Sequence, residues 1–304
     1  MKRLILIPLA ILSLASCEFE FELDGMDTAP LLHFEAALHQ NCDEDLKYAI
    51  QGLKAVSSGK YSDMEDITLQ AYINGEKVDG YHSDGPCSLL SGEMNFNVLE
   101  PGDEISIEAE CTGYPAISAK TVMPSGWNDM DLEVKRTDES TISLDISFKD
   151  DAATEDFYGI GLIVETYMQQ QISGWTSVAL RGPAVEGTGM TSYGEMRVSY
   201  IDPAERIINI CSDHSFNGKE KKMSFIADCL ESTDTEKRTY TVFAYKLSEE
   251  MYRYAVAQYD SSPWNNTLGF MGLSPVTFTY TNIQGGLGVL GCVNTRTYGP
   301  YPVP

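Results

Sequence analysis

Most of this chain alternates between apolar and polar positions. In "DEISIEAE", Ile105, Ile107 and Ala109 fall on one side of an extended strand, and Glu104, Ser106, Glu108 and Glu110 on the other. "TISLDISFK" repeats the pattern with Ile142, Leu144, Ile146 and Phe148. "FYGIGLIVETYM" is apolar on both faces and predicts a buried strand. "PLLHFEAAL", "LKYAIQGLKAV", "KKMSFIADC" and "RTYTVFAYKL" predict further strands. Turn signals punctuate them: Asn74-Gly75 is a hairpin signal, and Pro101-Gly102 and Gly113-Tyr114-Pro115 break the next strands. "SPVTFTYTNIQGGLGVLGCV" predicts a strand, a glycine turn and a last strand. Gln169 to Pro203 is poorly periodic and predicts long loops or a hairpin excursion.

One segment has helical spacing. Ser248 is placed as an N-cap, Glu249 and Glu250 suit the positive end of the helix dipole, Met251, Tyr254 and Ala255 recur on one face, and Pro263 ends the run. The expected fold is therefore mainly β. An immunoglobulin-like β-sandwich is expected over residues 31–126, because short strands with regular turn signals favour that architecture. A larger β-rich domain with one clear α-helix is expected over 127–304, after a linker at "MPSGW". No repeat of fixed period is visible.

The start of the chain carries an address. Lys2 and Arg3 precede the apolar run Leu4 to Leu12, and small residues follow, which is the layout of a secretory leader. The run is short of the ~20 residues that span a bilayer. Leu14-Ala15-Ser16-Cys17 resembles a bacterial lipobox. That resemblance implies removal of residues 1–16, lipidation of Cys17 and an acidic tether over 17–30. Several acyl chains hold a protein firmly where one does not, at ~0.8 kcal/mol per buried methylene. Glu18, Glu20, Glu22 and Asp24 alternate with Phe19, Phe21 and Leu23. This reads as a two-faced strand, and it also resembles the signal that sends lipoproteins of Bacteroidota to the outer face of the outer membrane, although that signal usually has adjacent acids. Surface display is the expectation.

Composition narrows the partners. The 304 residues are 43% hydrophobic and 22% charged, enough to build cores. Net charge is -24 at pH 7, which repels phosphate backbones and excludes nucleic acid as a partner. Six cysteines remain after Cys17: Cys42, Cys87, Cys111, Cys211, Cys229 and Cys292. Export permits disulfides, but three cysteines fall in each half, and buried thiols are an equal reading.

The lipobox with its acids, "LEPGDEISIEAECTGYPAISAKTVMPS", "LSEEMYRYAVAQ" and "PVTFTYTNIQGGLGVLG" together resemble a family of Bacteroidota outer-membrane lipoproteins of unknown function. The resemblance runs from Cys17 to about Gly291, and its most specific piece is Asn282 to Gly288. It implies an immunoglobulin- or carboxypeptidase-regulatory-like β-domain, then a larger β-rich domain. Members are often encoded beside TonB-dependent transporters, which implies an accessory role in nutrient uptake. It implies no catalytic residue.

Chemistry-bearing motifs are few. Gly286 to Gly291 spells GxGxxG, but no following helix and strand fit after it, so it reads as a glycine turn. Two groupings are weighed as metal ligands and set aside as chance: Asp79, His82, Asp84 and Cys87; and Cys211, Asp213 and His214. "DDAATED" offers Asp150, Asp151 and Asp156 to calcium, lacks EF-hand spacing, and reads as a solvated acidic turn. No metal, cofactor or catalytic set is expected. Trp175 and Trp264, in turn-rich segments, are the candidate contacts for a ligand or partner. Asp27-Thr28-Ala29 resembles a Bacteroidota O-glycosylation signal at Thr28.

The expectation is a non-enzymatic accessory or binding component of a TonB-dependent uptake system, taking an unidentified solute such as a peptide or glycan. A structural or adhesive fimbrial-type surface protein, with "EFEFELD" as a donor strand, is the alternative. A hydrolase with a scattered site is a third.

Overall fold

The computed structural model describes residues 30–41, 49–57, 60–62, 64–83, 85–86, 90–92, 99–127, 130–181, 193–197, 207–261 and 280–302. The mainly β fold expected from alternation is present. The strands are β1 (Leu31–Asn41), β2 (Ala49–Ser57), β3 (Lys60–Ser62), β4 (Ile67–Ile73), β5 (Glu76–Ser83), β6 (Leu90–Gly92), β7 (Glu104–Glu110), β8 (Ile117–Val122), β9 (Met130–Arg136), β10 (Thr141–Lys149), β11 (Phe157–Met168), β12 (Gln171–Val178), β13 (Tyr193–Arg197), β14 (Ile207–Ser212), β15 (Glu220–Asp228), β16 (Glu236–Leu247) and β17 (Leu287–Pro302). A single helix among the described residues, α1 (Glu249–Ser261), follows β16.

Three sheets result. The largest runs β13-β14-β11-β16-β17-β1-β2-β3, with β12 added to β11 and β6 to β2; the others run β15-β10-β9 and β5-β4-β7-β8. The large sheet joins the first and last of the described strands, because β1 pairs in parallel with β17.

Strand alternation then sorts side chains. On one face of the large sheet, Leu32, Phe34, Ala36 and Leu38 of β1 and Leu290 and Cys292 of β17 pack against β4, β7 and β8. On that same face, Tyr158, Ile160, Leu162 and Val164 of β11 and Tyr240, Val242 and Ala244 of β16 pack against β10 and β15. The two smaller sheets therefore sit side by side on one face. The opposite face is covered by α1, whose Met251 and Ala255 meet Ala37, Phe157, Ile210, Tyr245 and Val293. Ser248 caps α1 as expected: its Oγ accepts the Met251 N–H at 3.3 Å.

Ile105, Ile107 and Ala109 of β7 are buried and Glu104, Glu108 and Glu110 exposed. Ile142, Leu144, Ile146 and Phe148 of β10 are buried likewise. Asn74 and Gly75 both have positive φ, at 51° and 82°, as a two-residue hairpin turn requires. The "TRTYGPYP" tail, which no pattern assigns, is the second half of β17 and pairs with β16.

Candidate functional site

The two apolar cores meet along a polar row. In register across five strands stand Cys211 (β14), Tyr158 (β11), Lys246 (β16), Asn294 (β17) and Gln40 (β1). Direct neighbours in a sheet share a face, so all five point toward the seam between the smaller sheets. The linker "MPSGW" crosses there. Asn294 Nδ2 donates to the Pro124 carbonyl at 3.3 Å and to Gln40 Oε1 at 3.3 Å, and Arg296 donates to the Trp127 carbonyl at 3.3 Å. The Lys246 ammonium donates to Ser125 Oγ and to Asp156 Oδ2, each at 2.8 Å.

Asp156 opens onto a cluster of three buried carboxylates, Asp150, Asp156 and Asp213, whose oxygens lie within 4.8 Å of one another. Three elements deliver them: Asp150 follows β10, Asp156 precedes β11, and Asp213 follows β14. Backbone bonds fix the arrangement. The Asp156 N–H donates to Asp213 Oδ2 at 2.8 Å, and the Asp213 N–H returns to the Asp156 carbonyl at 2.9 Å. The Gly218 N–H donates to Asp150 Oδ2 at 2.7 Å. Gly218 has φ +73° and lies so close to Ala152 that a Cβ would stand 2.7 Å from it, so the 213–219 turn packs tightly on the acidic loop. Tyr158 Oη donates to Asp150 Oδ1 at 2.5 Å and stands 3.2 Å from Asp156 Oδ2.

The electrostatics follow from burial. Three carboxylates face one ammonium. Removal from water pushes the Asp213 carboxyl up to about 6; the Asp156 N–H opposes this, and the charges of Asp150, Asp156 and Glu155 add to it. Burial and the bonds to both carboxylates lift the Tyr158 phenol far above its ordinary range. Asp213 Oδ1 is buried with no partner.

This corrects the reading of "DDAATED" as a solvated turn. Asp151 is exposed, its side chain accepting the Ala153 N–H at 2.9 Å, but Asp150 and Asp156 are buried. The partner that completes the cluster, Asp213, lies 57 positions from Asp156. Its sequence neighbours do not join it: Cys211 packs in the core and His214 is exposed. The other grouping is also split. Asp79 stands opposite Ala71 and His82 opposite Thr68, hence on different faces of β5, and His82 Nδ1 lies 3.1 Å from Thr68 Oγ1. Cys87 and Asp84 fall outside the described residues, as do Cys17, Thr28, Cys42 and Trp264. Cys111, Cys211, Cys229 and Cys292 are thiols.

Trp175 marks a second feature. It lies on β12, 48% exposed, opposite Glu165 of β11. Ile172, 59% exposed, stands opposite Tyr167 on the same face, because an irregularity between these pairs shifts the register. Met168 is 47% exposed beside the turn Gln169-Gln170, whose residues both have positive φ. Of the eight large hydrophobic residues exposed among the described residues, this hairpin holds three. The segment read as a hairpin excursion thus offers apolar side chains on a stiff base, since Phe157 to Val164 of β11 are buried.

Comparison with known proteins places the chain without assigning a role. No curated protein matches it. Among solved structures, a red sea bream transglutaminase aligns at 10% identity and TM-score 0.22, covering 73% of this chain and 29% of that one; this chain thus spans under a third of that enzyme. The collagen binding domain of the Erysipelothrix rhusiopathiae surface protein RspB aligns at 7% identity and TM-score 0.20, covering 88% of this chain and 97% of that one. Overlaps this loose carry no argument about function. The model of the domain of unknown function DUF4249 matches residues 55–298, more than half of the chain, and the protein belongs to that family.

Proposed function

We propose that the protein is an outer-membrane lipoprotein, anchored through Cys17 and displayed at the cell surface, that serves as a non-enzymatic binding component of a TonB-dependent nutrient-uptake system. The observation that carries the binding role is the β11–β12 hairpin, with Trp175 and Ile172 on one face and Met168 at its tip. Large side chains held outward on a rigid base lose little conformational freedom on binding and remove much apolar surface from water, which is how contact anchors work. The scaffold suits that task. Two cores, a shared sheet and a pinned linker hold the hairpin in one orientation. The anchor and the transporter partner rest on the lipobox and on the resemblance that runs from Cys17 to about Gly291, and the solute is a peptide, glycan or similar nutrient.

The test is gentle purification of the tagged, lipidated protein from its native outer membrane, with mass spectrometry of what accompanies it. A stoichiometric TonB-dependent transporter supports the reading. Recovery of the protein alone, or only as self-oligomers, overturns it and moves the weight to an adhesive or independent surface role.

A further inference from the structure

We propose that Asp150, Asp156 and Asp213 form a binding site for a calcium-like divalent cation at the seam between the two smaller sheets. This inference is independent of the transporter reading. Three observations carry it. Asp213 is fully buried, yet its Oδ1 has no hydrogen-bond partner, an arrangement that native interiors avoid unless a further group completes it. The three carboxylates lie within 4.8 Å of one another, and two oxygens on opposite sides of one calcium ion, each about 2.4 Å from it, are separated by about that distance. The charges do not balance without it: three buried carboxylates face the single ammonium of Lys246, and a divalent ion makes the set neutral.

The donor set selects the ion class. All three candidate ligands are hard carboxylate oxygens, which favour calcium over zinc or copper. The nearest soft and nitrogen donors in sequence are not members of the cluster: Cys211 packs among the apolar side chains beside Tyr158, and His214 is exposed. Lys246 need not leave, because its ammonium has Ser125 Oγ as a second partner at 2.8 Å. The exposed loop 151–155 lies between Asp150 and Asp156 and packs on the 213–219 turn, so ion binding would tie β10, β11 and β14 together at one point.

The site has a built-in reporter. Tyr158 donates to Asp150, and the Trp127 ring lies 4.8 Å from the Tyr158 ring, close enough for either to sensitise a bound lanthanide. The test uses the full-length lipidated protein in detergent, stripped with chelator and titrated with terbium as the spectroscopic stand-in for calcium. The expected result is saturable sensitised emission that excess calcium displaces. D213N should weaken it by roughly tenfold or more, as loss of a ligand does at least as much as loss of an outer partner. D151N, at the exposed neighbour, should bind as the wild type, and W127F should show weaker emission, left to Tyr158 alone, while binding calcium normally by calorimetry. Absence of saturable emission overturns the proposal. So does emission that D213N leaves unchanged, since the ion would then sit on the acidic surface. Should D213N fail to fold, calcium must still raise the melting temperature of the stripped wild type; an unchanged melting temperature overturns the proposal as well.

Discussion

Lys246 Nζ lies 2.8 Å from Asp156 Oδ2, with both side chains almost wholly buried, at the point where the two apolar cores meet. The pair joins the middle of the large sheet to the loop before β11, and through Ser125 it also holds the linker. Removing one partner of a buried pair leaves an uncompensated charge, which costs about 3–5 kcal/mol. K246M is therefore expected to lose that much stability, measured as the midpoint of urea unfolding. The penalty should shrink in a D156N background, because the orphaned charge is then gone.

Asp213 gives a pH dependence in chelator-treated protein. Its carboxyl titrates at about 6 when folded, against an ordinary 3.8. A raised acid favours the folded state while protonated, so its stabilising contribution is full below the unfolded value and is lost as pH rises through about 6. The groups facing it are Asp150, Asp156 and Glu155, which push it up, and the Asp156 N–H, which pulls it down; Lys246 reaches Asp156 but not Asp213. Wild type should melt higher relative to D213N near pH 5 than at about pH 7.5. A constant difference between the two proteins would contradict the assignment.

Gly286 and Gly288 of the GxGxxG string are required by close backbone contact, and Gly291 by the Met251 side chain of α1. Gly288 has φ +105°, and a Cβ there would stand 1.9 Å from the Phe34 carbonyl oxygen, inside the β1–β17 pairing. G288A should therefore abolish soluble folded protein. G75A is the control: Gly75 has φ +82° but nothing within 4 Å, so it should cost only about 1–2 kcal/mol. Expression level and circular dichroism distinguish the two.

The buried thiols should be inert. Burial pushes Cys211 up to about 12 and raises Cys292 further, so neither ionises near neutral pH. Native protein treated with iodoacetamide at about pH 8 should leave both unlabelled, and denatured protein should label both, as read by peptide mass spectrometry.

Local physics was visible in the sequence and long-range pairing was not. The period of two in "TISLDISFK" predicts which side chains of β10 are buried, because alternation is fixed within one strand. Ser248 declares its helix for the same reason, since its capping partner, Met251, is three residues away. Nothing local says that β1 joins β17, because a parallel pairing between strands so far apart in sequence leaves no trace in either segment. The acid cluster was half legible. Asp150, Asp156 and Asp213 each stood in a weighed motif, but their convergence depends on the pairing of β11 with β14. Lys246 and Asn294, polar residues in apolar strands, are the sequence signal for this seam: a buried strand tolerates them only where partners wait. The turn-rich surroundings of Trp175 mark it in the sequence, and it is exposed beside Ile172.

The most direct measurement places a photo-crosslinking residue at position 172 in the living cell, with a second at the exposed Val122 as control. The account predicts an adduct between position 172 and a TonB-dependent transporter, absent from position 122 and reduced by W175A. No adduct at 172, or an adduct only with another copy of this protein, would contradict it.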